Sequence, residues 1–378
     1  SACLVGSEMC IRDSVISYTT FNKMFKAIGV GSQQIDWKRA LLNFPKGLEV
    51  FISQRTMFKT RPIIGFIHAI VAWGFTLYLV VNVVDVLYGF IPGFHFFPNY
   101  LIGKAYRLFV DVFTVLVLLG VVYFLVRRFI FKDYRLIINE PVMLNDRAKK
   151  GMRNDSLIVG LFILLHVGSR LLAASFEIAR NGSDTFQPAA TTIALLWSDL
   201  SQESVIISEH IFWWIALGLI LGFLPYFPFT KHAHLFMGPL NYMVKTERTS
   251  MAALEAIDFE DDSIDQFGAG QLGHLPQSQI LDAFACIQCS RCQDACPAYE
   301  TGKELSPSAL EINKRYFLNS HLDEFINGSI PDAAITDILL TDEAAWSCTT
   351  CGYCVEVCPV GNEPMSDILR ARQDLVMM

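Results

Sequence analysis

Apolar residues dominate four long stretches of this chain. They run from Pro62 to about Tyr88, from about Tyr106 to Phe131, from about Leu157 to Ile178 and from about His210 to Phe229. A helix needs ~20 residues to cross the hydrocarbon of a bilayer, and each stretch reaches that length. The pattern therefore predicts an all-α protein with four membrane-spanning helices, in preference to buried helices of a large globular core.

The polar residues between the stretches are sorted by sign. Lys38, Arg39, Lys46, Arg55, Lys59 and Arg61 precede the first stretch, and Arg127, Arg128, Lys132, Arg135, Arg147, Lys149, Lys150 and Arg153 separate the second from the third. The other two connections, 89–103 and 181–208, contain no Lys or Arg. Basic loops stay on the cytoplasmic side of a membrane. This predicts a plasma-membrane, multi-pass protein whose N-terminal segment, central loop and C-terminus are cytoplasmic.

After the fourth stretch, Lys245 and Arg248 lead into an acidic linker, Glu255 to Gly273, and then into a soluble region of roughly one hundred residues. The expected division is 15–60 cytoplasmic juxtamembrane segment, 61–244 transmembrane domain, 245–278 linker and 279–378 soluble domain. Residues 1–14 lack the basic-then-apolar order of a signal peptide. They read as extraneous to the protein, so that the chain is expected to be a fragment at its start.

Composition sharpens this. The 378 residues are 52% hydrophobic with net charge −7 and a mean hydropathy of +0.37. That is too apolar for an ordinary soluble protein, and the acidic balance argues against a nucleic-acid partner. Eight of the ten cysteines lie in the soluble region, the others being Cys3 and Cys10. Such clustering excludes a spread disulfide framework.

The eight cysteines form a repeat. Cys286, Cys289, Cys292 and Cys296 precede Pro297, and the same spacing returns 62 residues later as Cys348, Cys351, Cys354 and Cys358 before Pro359. In proteins with two [4Fe-4S] clusters, the fourth cysteine of such a run ligates the other cluster. The expected ligand sets are therefore Cys286, Cys289, Cys292 with Cys358, and Cys348, Cys351, Cys354 with Cys296. Zinc is the plainer alternative for paired CxxC units, but it has little use for this third and fourth cysteine twice over. Helix-forming residues such as Leu310–Leu318 fill the space between the motifs, which predicts a helical ferredoxin domain.

Histidines inside or beside spans mark sites, because an imidazole there is costly. His68, in the first span, and His234, at the end of the fourth, sit at similar depth on different helices, as bis-histidine haem ligation requires. His232 is the rival to His234, pointing about 200° away if both lie on one helix. His166 and His210 could hold a second haem, with Arg170, one turn from His166, facing a propionate. The pairs Arg107/Asp111 and Glu177/Arg180 read as span-end stabilisers and not as proton carriers.

Two resemblances follow. The segment Phe227-Pro-Phe-Thr-Lys-His-Ala-His-Leu-Phe-Met-Gly-Pro-Leu-Asn-Tyr242 resembles the end of the last helix of respiratory nitrate reductase gamma-type cytochromes b. That family's inner-haem ligands fall on His234 and His68. Its outer pair falls on Tyr78 and Ala216, which cannot ligate, so the resemblance implies either one haem b or a replacement pair at His166 and His210. The stretches Cys296-Pro-Ala-Tyr-Glu-Thr-Gly-Lys-Glu-Leu-Ser-Pro307 and Trp346 to Val360 resemble the iron–sulfur part of heterodisulfide reductase-related proteins. Fusions of these modules are membrane oxidoreductases, some of which pass electrons from electron-transfer flavoprotein to menaquinone. The expected function is electron transfer between a cytoplasmic carrier, two [4Fe-4S] clusters, haem b and quinone in the bilayer. The alternatives are a quinol-driven reductase of a disulfide or sulfur compound, and a membrane redox sensor.

Overall fold

The computed structural model describes residues 2–98, 100–245, 257, 259–260, 265–329 and 331–378, with backbone alone for 2–11. Every named element among the described residues is helical, as the patterning predicts. The longer helices are α1 (Ala2–Gly29), α2 (Phe44–Ser53), α3 (Pro62–Phe90), α4 (Leu101–Leu125), α5 (Asp146–Asn181), α6 (Gln202–Phe223), α7 (His234–Val244), α8 (Gln277–Ala285), α9 (Pro307–Ser320) and α10 (Pro364–Met377). They fall into two compact units. One comprises Ser1–Ile16, Ile63–Phe131 and Ser156–Pro225; the other comprises Ser17–Pro62, Lys132–Asp155 and Tyr226–Met378.

The first unit contains α3, α4, α6 and most of α5, the four helices long and apolar enough to cross a membrane. Pro62 opens α3 at a position where its missing N–H costs nothing. Large apolar side chains such as Ile63, Leu79, Leu119 and Ile211 are more than half exposed, as lipid-facing residues are. Between helices the fit depends on glycine. Gly74 of α3 faces Val117 of α4, and a Cβ on Gly120 of α4 would stand 2.8 Å from Val71 Cγ2. Small residues at such crossings let membrane helices approach closely, where hydrophobic driving force is absent.

The fourth span differs from expectation at its end. Helix α6 stops at Phe223, short turns follow at Phe227–Phe229 and Lys231–Ala233, and α7 begins at His234. Pro225 and Pro228 explain this, because proline removes a backbone donor and disfavours helical geometry in the residue before it. The apolar composition runs on past the break and hides it.

The second unit is broader than the predicted soluble domain. Met24, Ala27 and Ile28 of α1 belong to the same buried core as Leu275, Ile280, Leu281, Phe284, Leu310 and Ile368. Residues 246–256, 258 and 261–264 of the expected linker lie outside the described residues. Its later part is no spacer. At Gly268, φ +82°, an added Cβ would clash with the backbone of Arg370 and Asp374 of α10, and the N–H of Ala269 donates to Arg370 O at 2.9 Å. Leu272 and Leu275 are buried. A buried ionic cluster ties the helices together. Lys314 of α9 donates to Asp367 of α10 at 2.5 Å and pairs with Glu311 at 3.2 Å.

Candidate functional site

The two cysteine motifs repeat in backbone as well as in sequence. Gln288 and Ser290 adopt φ of 55° and 59°, and their counterparts Thr350 and Gly352 adopt 55° and 70°. Left-handed backbone costs an ordinary residue about 1 kcal/mol or more, so a doubled occurrence implies a purpose. The purpose is to turn successive N–H groups and thiols inward. Gln288 N–H donates to Cys286 Sγ, and Thr350 N–H to Cys348 Sγ, both at 3.4 Å. One short helix follows each loop, Arg291–Asp294 and Tyr353–Glu356.

The fourth cysteine crosses over. Cys286, Cys289, Cys292 and Cys358 line one cleft together with Glu311 and Asn362. Asn362 N–H donates to Cys358 Sγ at 3.2 Å. In the other group, the sulfurs of Cys348, Cys296 and Cys351 lie close enough to Cys354 to raise its pKa further. Among the described residues, no three His, Cys, Asp or Glu side chains close on a point that would hold a single ion. The thiols surround a cleft, which suits a multi-iron group better than one zinc.

Burial governs their chemistry. It pushes the thiols of Cys358 and Cys354 up to about 12, with the neighbouring sulfurs adding to the shift. Cys286 and Cys292 are raised in the same way, first by burial and then by nearby charge. Four thiolates cannot share such a site unless a cationic group neutralises them, and the donor set therefore fits a cluster of irons.

Three arginines that sequence reasoning passed over hold the motif backbones. Arg315, fully buried on α9, donates to Cys286 O at 2.9 Å. Arg61 donates to Cys289 O at 3.0 Å and pairs with Asp294. Arg372 donates to Ala345 O at 2.7 Å and to Cys348 O. The available signal was the run Lys314-Arg315 among apolar neighbours on a helix, which is out of place on a core face.

The histidines are distributed differently from expectation. His232 and His234 do not share a helix: the first lies in the turn Lys231–Ala233, the second opens α7, and their rings are 6.0 Å apart. His234 Nδ1 lies 2.5 Å from Lys231 O. Donation there leaves Nε2 as the lone-pair nitrogen, the arrangement a metal-ligating histidine needs. Burial pulls its pKa down to about 4, so the ring is neutral at pH 7. His68 lies on α3, in the other unit.

His166, on α5, is buried, with Nδ1 2.9 Å from Ala216 O. His210 is exposed on α6 and is absent from the lining of the crevice at His166. Arg170 is engaged by Asp85 through two contacts of 2.8 and 3.1 Å, and not left for a propionate. Nor do the span-end pairs form. Arg107 pairs with Asp184, Arg180 with Glu209, and Asp111 accepts from the N–H groups of Ala189 and Ala190.

Comparisons with known proteins agree with the cysteine geometry. Residues 282–362 match the 4Fe-4S dicluster domain family. The chain is 31% identical over 355 residues to the "Probable iron-sulfur-binding oxidoreductase FadF" of Bacillus subtilis, covering 83% of this chain and 47% of that protein. It is 26% identical over 348 residues to the "EtfAB:quinone oxidoreductase" of Syntrophomonas wolfei, covering 84% and 46% respectively. A "Probable membrane-anchored ferredoxin" of Chromohalobacter salexigens is 31% identical over 140 residues, 33% of this chain and 21% of its own. No solved structure matches. The chain spans about half the length of the first two relatives. It is a homologue of iron–sulfur oxidoreductases, with a 4Fe-4S dicluster domain at residues 282–362 and four helices able to cross a membrane.

Proposed function

We propose that the chain is the electron-conducting portion of a membrane oxidoreductase that connects a cytoplasmic electron carrier with the quinone pool. One observation carries this reading: Cys358 lies in the same cleft as Cys286, Cys289 and Cys292, the crossed arrangement of a two-cluster ferredoxin. Cys348, Cys351, Cys354 and Cys296 form the second ligand set. Each [4Fe-4S] group, when bound, exchanges one electron at a time. The chain's own residues keep the thiols dry, donate N–H groups to the sulfurs and fix the loops through Arg61, Arg315 and Arg372. Hydrogen bonds and burial of this kind set reduction potentials.

His68 and His234 are proposed to hold a haem b, His234 with its Nδ1 turned to Lys231 O. The cysteine-bearing unit is proposed to lie on the cytoplasmic side, a reading the basic connections support. A carrier of the electron-transfer flavoprotein kind is proposed from the name of the Syntrophomonas relative. Quinone is proposed on the same ground.

The detergent-purified chain tests this by metal analysis, optical spectra and quinone reaction. About eight irons per chain, a b-type spectrum lost in His234→Ala with iron retained, and re-oxidation of the reduced protein by a short-chain naphthoquinone are expected. Zinc in place of iron, or no reaction with quinone, would overturn the reading.

A further inference from the structure

The first unit carries an open cavity of about 700 Å³ at the end bearing the connections without Lys or Arg. Its wall includes Asp85, Arg107, Arg170, Glu177, Asp184 and Glu209, a costly set of residues inside a membrane bundle. Ionisable residues that line a cavity of a membrane bundle mark ion or proton routes. The charges are almost all matched: Arg170 with Asp85, Arg107 with Asp184, and Arg180 with Glu209. Glu177 remains. It takes part in no ion pair among the described residues, and the charged groups around it are Glu209, Arg180, Arg170 and Asp85, with Tyr88 beside them.

The cavity wall continues inward along α5. Glu177, Arg170 and His166 are spaced by seven and four residues, which places them on one helical face about 16 Å from end to end. At the inner end lies an apolar crevice lined by Tyr78, Leu79, Asn82, Phe162 and His166. His166 is 4% exposed, and its Nε2 has no hydrogen-bond partner among the described residues. Leu79 is half exposed, so the crevice opens on the lipid-facing side of the unit.

We propose that this face is the proton route of the quinone reaction, with Glu177 exchanging protons between the cavity and the crevice. The inference rests on the quinone reading above. Reducing a quinone to a quinol takes two electrons and two protons, one proton for each carbonyl oxygen. The electrons come from the iron–sulfur groups, and the protons come by way of Glu177; quinol oxidation returns both by the same routes. Asp85, fixed by Arg170, is the carboxylate between the two ends.

The test is stopped-flow re-oxidation of the full-length protein, reduced with stoichiometric dithionite and followed by iron–sulfur absorbance. Two acceptors are compared: a short-chain naphthoquinone, which needs protons, and ferricyanide, which does not. Glu177→Gln is expected to slow the quinone reaction about 100-fold, the order of a lost acid–base group, and to leave the ferricyanide reaction unchanged. Glu177→Asp is expected to restore most of the rate. A Gln variant as fast as wild type with quinone, one equally slow with both acceptors, or an Asp variant as slow as Gln overturns the proton route. Wild-type protein that reacts with ferricyanide but not with quinone overturns the quinone reading itself.

Discussion

Burial acts on single side chains in ways that pH can reveal. His234 is held near 4 in the folded protein against an ordinary histidine value of 6.5, so the unfolded chain binds more protons between those values. Stability from this residue is therefore full above about 6.5 and is lost as pH falls towards 4, up to ~3 kcal/mol in all. Thermal unfolding of the haem-free protein should show a lower midpoint at pH 5 than at pH 7, and His234→Asn should shrink the difference. An unchanged difference in the variant would show that other groups cause it. At this scale the repeat of the eight cysteines is legible in the sequence, because their spacing is itself the chemistry. Sequence reasoning missed Arg61, Arg315 and Arg372, whose work on motif carbonyls depends on contacts hundreds of residues apart in the case of Arg61. It also matched Arg107 with Asp111 and Glu177 with Arg180 by nearness along the helix, while the folded partners came from other elements.

Elements were legible where composition and geometry coincide. Helices α3, α4 and α5 lie where the apolar runs predict them. The end of α6 was not legible, since Pro225 stops the helix while the residues beyond stay apolar. His232 and His234 were consequently placed on one helix that the chain does not form. What holds α3 against α4 is also plain only in three dimensions. Gly120 leaves room for Val71 and Ile67, and Gly74 for Val117. Gly120→Leu should separate the two helices, costing about 1–3 kcal/mol from overpacking. Lower thermal stability in detergent is expected, with the iron content of the surviving protein unchanged. A variant as stable as wild type would mean the crossing is looser than the spacing of Gly120 and Val71 implies.

At the scale of the whole molecule, the chain forms two compact units, each built from segments far apart in sequence. Segments 17–62 and 132–155 belong to the unit that carries the cysteines, because Met24, Ala27 and Ile28 complete its core. Nothing local in those segments signals that, since partners such as Met243 for Asn43 and Asn313 for Asn145 stand 200 and 168 residues away. The crossed cysteine sets depend on the same long-range assembly: α10 and the second motif must return to the first for Cys358 to reach its cleft. Low-temperature EPR of dithionite-reduced cysteine variants tests this most directly. Cys358→Ser should leave the same residual signal as Cys286→Ser, and Cys296→Ser the same as Cys348→Ser. If Cys358→Ser instead matches Cys348→Ser, the sets are not crossed and the account is wrong at its centre.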